Sequence, residues 1–345
     1  MSDLEVSIEQ EISQIAMGKP HVVLVGAGAS RAALPHGDRS GKRMPLMGDF
    51  TEIVPVARTL ERAGVQNPHT NFELQYAAIA SDPSKSDLRT ELEHIIYSYF
   101  NSLSLPDEVT LYDLLVLSLR SKDVIATFNW DPFLIQAVRR NAAAKASMPR
   151  IAFLHGNVLS GYCRKDAVHG TKGTRCSKCG EPFEPSRLLF PISAKDYHAD
   201  PMIANAWKFV EWALSNAFML TVFGYGAPSS DQSAMDLLKG AWGGSQRRNM
   251  EQVEIIDVRS EDDLTSSWDA FIHTHHYDIF ATFAESWIGK HPRRTGEAYL
   301  NQYLFAKFIS DNPVSPLKSL PSLWDWFRPL ISVEEANQRN DRSSP

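Results

Sequence analysis

The sequence predicts an α/β protein built on an open parallel sheet, and three observations lead there. Five short apolar runs, His21–Val25, Val124–Thr127, Ile151–Leu154, Met219–Phe223 and Val253–Asp257, have the length and content of buried strands. Four of them end directly in polar or glycine-containing turns. Helical patterns separate several of them, the order expected of a parallel sheet with crossover helices.

Composition bounds the rest. The 345 residues, 43% hydrophobic and 22% charged, suit one large α/β domain with an added module, or two domains, with a sizeable core. No unit of 20 to 50 residues recurs, which excludes a solenoid. Thirty-five basic against 41 acidic side chains give a net charge of −6, so no global positive field draws the chain to nucleic acid or acidic lipid. The start, MSDLEVSIEQEI, lacks the basic-then-apolar order of a secretory signal. The longest uncharged stretch, 212–230, carries Ser215, Asn216, Thr221, Gly224, Gly226 and Pro228 and makes a poor membrane span. The only cysteines, Cys163, Cys176 and Cys179, fall close together, which argues against a disulfide framework and for thiolates around a metal in a reducing, cytoplasmic setting.

Taken in order, the first strand runs into Gly26-Ala27-Gly28-Ala29-Ser30, a tight turn that feeds a helix. Residues 31–49 mix Gly, Pro and charge without periodicity and read as a long mobile loop. Residues 50–120 repeat apolar positions at helical spacing and read as a helical insertion. The second strand enters Phe128-Asn129-Trp130-Asp131-Pro132, the third His155-Gly156-Asn157, the fourth Gly224-Tyr225-Gly226, and the fifth ends at Asp257. In open parallel sheets ligands bind at the carboxyl ends of the strands, so Gly28, Asn129, His155, Gly224 and Asp257 are expected to converge on one crevice. Residues 261–331 are aromatic-rich and read as helical, and 332–345 as a solvated tail.

Each candidate has a plainer alternative. Gly26 and Gly28 fit the first two glycines of a dinucleotide fingerprint, but Arg31 replaces the third and no P-loop Lys follows; a structural turn is the other reading. Asn129 in a turn can be a backbone cap and His155 a satisfied histidine. Asp257 can be an ordinary strand-end acid, and Asp231 can be an acid favoured by the helix dipole in the first turn that Ser229 and Gln232 cap as an S-x-x-Q box. Cys176-Ser-Lys-Cys179-Gly180 is a C-x2-C knuckle; with Cys163 it supplies three zinc ligands, and His169 is the best fourth, with Asp166 behind it. Its alternative is a hairpin of free thiols. Trp268, Phe271, Trp287, Tyr299, Tyr303, Phe305, Trp324, Trp326 and Phe327 read first as core and otherwise as a partner surface. His273, His275 and His276 do not share a helix face and read as packing or surface.

The succession GAGAS, TFNWD, LHGN, a cysteine module and a glycine turn resembles the Sir2 (sirtuin) family over about residues 20–260. The tract 155–192 is especially similar, with a cysteine soon after His-Gly and a C-x2-C-G knuckle followed by Pro185 and Leu189-Phe190-Pro191. The resemblance implies a Rossmann-like parallel sheet (20–260) with the helical insertion (50–120), a small zinc-ribbon-like module (155–192) and C-terminal helices (261–331). It implies NAD+ as substrate, with Ala27, Gly28 and Ser30 at the pyrophosphate, Asn129 and Asp131 beside the nicotinamide ribose, and His155 as base. Gly224 and Asp257 then fall near the adenosine ribose. Zn2+ would be structural, on Cys163, His169, Cys176 and Cys179.

Two departures shape the functional expectation. Protein-deacylating relatives carry Gly-Ile-Pro-Asp-Phe-Arg after the first turn, where this chain has ALPHGDRSGKRMPLMGDF. They carry Gly-Thr-Ser where it has Gly224-Tyr225-Gly226 and then Asp231. That pattern is similar to the NAD-hydrolysing branch found in bacterial antiphage defence. The sequence therefore predicts an NAD+ glycohydrolase that releases nicotinamide and ADP-ribose, controlled by homo-oligomerisation or a partner protein. A deacylase or ADP-ribosyltransferase, and an idle NAD or ADP-ribose sensor, are the alternatives.

Overall fold

The structure is a computed structural model that describes residues 4–65, 71–192, 196–227, 231–244, 247–248, 250–272 and 276–343. Its strands, in chain order, are β1 (Glu5–Val6), β2 (His21–Val25), β3 (Val124–Thr127), β4 (Arg150–Phe153), β5 (Ser160–Cys163), β6 (Val168–Thr171), β7 (Glu184–Pro185), β8 (Met219–Phe223), β9 (Gln252–Ile256), β10 (Tyr277–Phe280) and β11 (Phe308–Ile309). Six of them form one parallel sheet in the order β10-β9-β8-β2-β3-β4. β5, β6 and β7 form a small antiparallel sheet in the order β6-β5-β7.

Every residue of β2, β3, β8 and β9 is buried, because helices cover both faces, as parallel sheets require. Side chains alternate between the faces. Val23, Val25 and Ile125 pack with Phe50, Phe72, Leu115, Phe133 and Phe327. Val22, Leu24, Val222 and Ile255 pack with Trp207, Leu238 and Trp268. The segment 50–120 supplies helices Phe50–Ile53, Ala57–Arg62, Phe72–Ala80, Ser86–Asn101 and Leu111–Leu117, as its periodicity predicts.

The strand ends are level. Val25 pairs with Thr127 and Phe223, Thr127 with Phe153, and Phe223 with Ile256. The residues that follow therefore emerge along one edge of the sheet. Strand order reverses between β2 and β8, the switch point at which such sheets open a crevice.

Three expectations need correction. β10 lies in the stretch read as helical, where Tyr277–Phe280 is a half-buried edge strand paired with β9. The loop 31–49 lacks regular structure from 34 onward but is pinned. Arg31 donates to the Met44 carbonyl and to Asp49, while buried Asp38 accepts from the N–H groups of Ser40, Lys42 and Ser104. The tail from 332 is not solvated throughout, because helix Leu320–Ser343 continues through it and Glu334 is buried against Arg293 and Arg294. Of the C-terminal aromatics, Trp268, Phe271, Trp287, Tyr299 and Phe327 are core, whereas Tyr303 and Phe305 are exposed. His273, His275 and Ser229 lie outside the described residues; His276 is buried, 2.7 Å from the Tyr299 hydroxyl. No helix among the described residues is long and apolar enough to cross a membrane.

Candidate functional site

A cavity of about 550 Å³ opens at the carboxyl edge of the sheet and is lined from five strand ends: Gly26, Ala27 and Gly28 after β2, Asn129 and Asp131 after β3, His155 after β4, Gly224 and Asp231 after β8, and Asp257 after β9. Of the residues predicted for the nucleotide site, Ser30 alone is absent from the lining.

The glycines act first on each other. Gly28 donates its N–H to the Gly224 carbonyl, and Gly224 sits at φ +59°, where a Cβ would lie 2.2 Å from the Ala29 nitrogen. The two turns interlock at backbone distance, which only glycine allows. The Gly28 N–H is thus spent inside the protein. The N–H of Ala27, at the first position of helix Ala27–Ala33, has no partner among the described residues, and Ala27 lines the cavity.

Ser30 organises the site from behind. Its fully buried Oγ lies 2.6 Å from the Tyr112 hydroxyl, donates to Asp131 Oδ2 at 2.7 Å and accepts from Asn129 Nδ2 at 2.9 Å. One hydrogen and two lone pairs are then all used, so Tyr112 must donate. Asn129 Nδ2 also donates to the Gly26 carbonyl at 2.8 Å, an acceptor that fixes the amide orientation. Its N–H groups are consumed, and Oδ1, which accepts nothing from the described residues, is left for a ligand. Burial raises the Asp131 carboxyl to about 6, against the lowering effect of the Ser30 and Phe133 hydrogen bonds.

His155 is held by aromatic rings. Its imidazole lies edge-on to Phe128 at 4.9 Å and parallel to Tyr197 at 5.9 Å, with Nε2 3.4 Å from the Tyr197 hydroxyl. Phe128 in turn stacks on Tyr225 at 4.0 Å. Gly156 takes φ +78° with the Arg187 carbonyl against it; a Cβ there would sit 1.9 Å from that oxygen. The Gly after His155 is therefore demanded by the returning chain of the small sheet. Asp231 begins helix Gln232–Trp242 without a side-chain cap, and accepts instead from the Tyr225 hydroxyl at 3.0 Å.

Asp257 does not stand alone. Its Oδ1 accepts from the backbone N–H and Nε of Arg259, and its Oδ2 from Nη2 at 3.1 Å. Arg259 lines the cavity too; nothing in the sequence singled it out. Trp130, between Asn129 and Asp131, lines the cavity, and its buried indole N–H has no hydrogen-bond partner among the described residues.

The small sheet gathers Cys163, Cys176, Cys179 and Asp166, whose ligand atoms all lie within 4.8 Å of one another. Cys163 Sγ is 3.5 Å from Cys179 Sγ, and Asp166 Oδ2 is 3.2 Å from Cys176 Sγ. The Lys178 N–H points at Cys176 Sγ, and Gly180 turns at φ +77°. Three sulfurs and a carboxylate oxygen at such spacing fit a tetrahedral zinc ion. His169 is corrected by register: it pairs across the ladder with Tyr162, and its ring meets the Tyr162 ring at 5.3 Å. Neighbours on a strand face opposite ways, so Tyr162 and His169 share the face turned away from Cys163. Asp166, in the hairpin between β5 and β6, supplies the fourth donor.

No protein-family model and no curated protein matches the chain. Among solved structures, one from a study of the mechanism and regulation of Sir2 enzymes aligns with 84% of this chain and 99% of its own at 14% identity, TM-score 0.41. A Sir2 homologue in complex with NAD aligns with 87% and 93% at 13% identity, TM-score 0.38. A Sir2 protein bound to a myristoylated histone peptide aligns with 87% and 99% at 15% identity, TM-score 0.35.

Proposed function

We propose that this protein is an NAD+ glycohydrolase. The observation that carries the reading is that Asn129, Asp131 and His155, from adjacent strand ends, line one cavity with the interlocked glycine turns and the Asp257 end of β9. The Ala27 N–H suits a pyrophosphate oxygen, with the nicotinamide ribose toward Asn129 and the adenosine ribose toward Asp257.

In the proposed reaction the bond from C1′ to the nicotinamide nitrogen breaks, and its electron pair leaves with nicotinamide. Water adds its oxygen to the oxocarbenium-like C1′ and passes its proton to the His155 imidazole. Asn129 Oδ1 orients that water by accepting its other hydrogen. The Asp131 carboxylate, beside the cavity and held by Ser30, opposes the positive charge that develops on the ribose. Zinc on Cys163, Asp166, Cys176 and Cys179 would be structural, because four protein donors leave no position open for water. A role as a NAD-depleting defence effector rests on the sequence from Gly224 to Asp231.

The test is purified protein with NAD+ alone. Nicotinamide and ADP-ribose released without any acyl-peptide support the reading. Release that requires acyl-peptide favours a deacylase, and binding without turnover favours a sensor.

A further inference from the structure

The charge lining the cavity is lopsided. Glu73, Asp131, Asp231 and Asp257 supply four carboxyl groups, and Arg259 is the only Lys or Arg among the described lining residues. A dinucleotide is anionic, so where that guanidinium stands bears directly on which dinucleotide fits.

In the proposed binding mode it stands at the adenosine end. Sheet order puts β9 two strands from β2, about 10 Å at the usual strand spacing, and Asp257 holds the Arg259 guanidinium at the end of β9, the side assigned above to the adenosine ribose. The guanidinium also neutralises Asp257, taking both carboxylate oxygens. An unpaired acid at a strand end accepts the 2′-hydroxyl of NAD and repels a 2′-phosphate; an arginine nearby accommodates that phosphate. Of the five guanidinium N–H groups, Nε and one on Nη2 go to Asp257, and one on Nη1 reaches the Gly226 carbonyl at 3.5 Å. Two N–H groups therefore remain for an acceptor. The acids of the next helix, Glu261, Asp262 and Asp263, are exposed and do not line the cavity.

Building on the proposed NAD+ hydrolysis, we infer that the site also takes NADP+, with the 2′-phosphate held by Arg259. The paired Asp257 and Arg259 make a neutral pocket with spare donors, which admits a hydroxyl or a phosphate at the same carbon.

The experiment measures nicotinamide release from NAD+ and from NADP+ by the wild-type protein, Arg259→Gln and Arg259→Lys. Expected is cleavage of both dinucleotides by the wild type. Arg259→Gln should lose kcat/KM on NADP+ about 10- to 100-fold more than on NAD+, the size of a charge-assisted contact. Arg259→Lys, which keeps the charge, should recover part of that difference. Residual NAD+ cleavage reports that each variant is folded. Cleavage of NAD+ without detectable cleavage of NADP+ overturns this inference and leaves the hydrolase reading standing. Equal loss on the two substrates overturns it as well and assigns Arg259 to the shared pyrophosphate. Cleavage of neither dinucleotide by the wild type overturns the hydrolase reading itself, and this inference with it.

Discussion

Ser30 Oγ lies 2.7 Å from Asp131 Oδ2 across 101 positions of sequence, and through Tyr112 and Asn129 this buried hydroxyl ties the ends of β2 and β3 to the helical insertion. Removing the Tyr112 hydroxyl should loosen Asn129 and Asp131 without changing the cavity wall, because Tyr112 is fully buried behind it. Tyr112→Phe is expected to lower kcat for nicotinamide release several-fold, about one lost hydrogen bond, with little change in KM for NAD+. Steady-state kinetics measures both constants, and an unchanged kcat would remove Tyr112 from the site.

A second buried chain crosses the sheet through side chains that do not line the cavity. Thr221 Oγ1 lies 2.5 Å from His21 Nε2 and 2.5 Å from Glu254 Oε1, while Glu254 Oε2 accepts the Trp287 N–H. Burial raises the Glu254 carboxyl to about 7 and lowers the His21 imidazole to about 4. The signs are opposite. The stability that Glu254 contributes is complete below pH 4.5 and is lost as the pH rises through 7; that of His21 is complete above pH 6.5 and is lost as the pH falls toward 4. Protonated Glu254 donates to Thr221 and accepts from Trp287, which glutamine can imitate at any pH. Glu254→Gln should therefore stabilise the protein by about 3 kcal/mol at pH 8 and by less than about 1 kcal/mol at pH 5. Denaturant unfolding at the two pH values checks this, and a gain that does not grow with pH would contradict it.

The C-terminal helix is anchored by charge. Arg293 and Arg294 are fully buried and share Glu334, and Arg293 also donates to the Leu117 and Leu119 carbonyls. Deleting 332–345, harmless if that stretch were a solvated tail, strands two guanidinium groups. A loss of about 3–5 kcal/mol follows from breaking a buried pair. Glu334→Ala should reproduce most of it, and a melting temperature unchanged by either variant would refute the anchoring.

Zinc content separates two neighbouring side chains. Metal analysis of purified protein should find about one zinc per chain in the wild type and in His169→Ala. Cys176→Ser and Asp166→Ala should lose most of it. Loss in His169→Ala with retention in Asp166→Ala would restore the ligand set read from the sequence.

The difference between those sets shows where sequence reading stops. Asn129, His155 and Asp257 were legible because each follows an apolar run, and level strand ends turn that local fact into a shared cavity. Choosing Asp166 over His169 required the register of β5 against β6, which sequence does not display. Tyr112 reads as one more apolar-spaced core residue of a helix, and its hydroxyl gains meaning only beside Ser30. β10 escaped notice because Tyr-Asp-Ile-Phe, half-buried at the sheet edge, carries a polar residue mid-strand amid aromatic-rich sequence. Glu334 sits in a polar stretch, and only the distant Arg293 and Arg294 explain its burial.

If Asn129 and His155 serve one reaction on one bound dinucleotide, nicotinamide release needs both side chains. The most direct measurement is nicotinamide release from NAD+ alone by the wild type, Asn129→Ala and His155→Ala, with zinc content and melting temperature confirming intact folds. Expected are steady release by the wild type and a fall of about 10²- to 10⁴-fold in His155→Ala, the range for loss of a general base, with a comparable fall in Asn129→Ala. Variants that hydrolyse NAD+ as fast as the wild type would contradict that shared role.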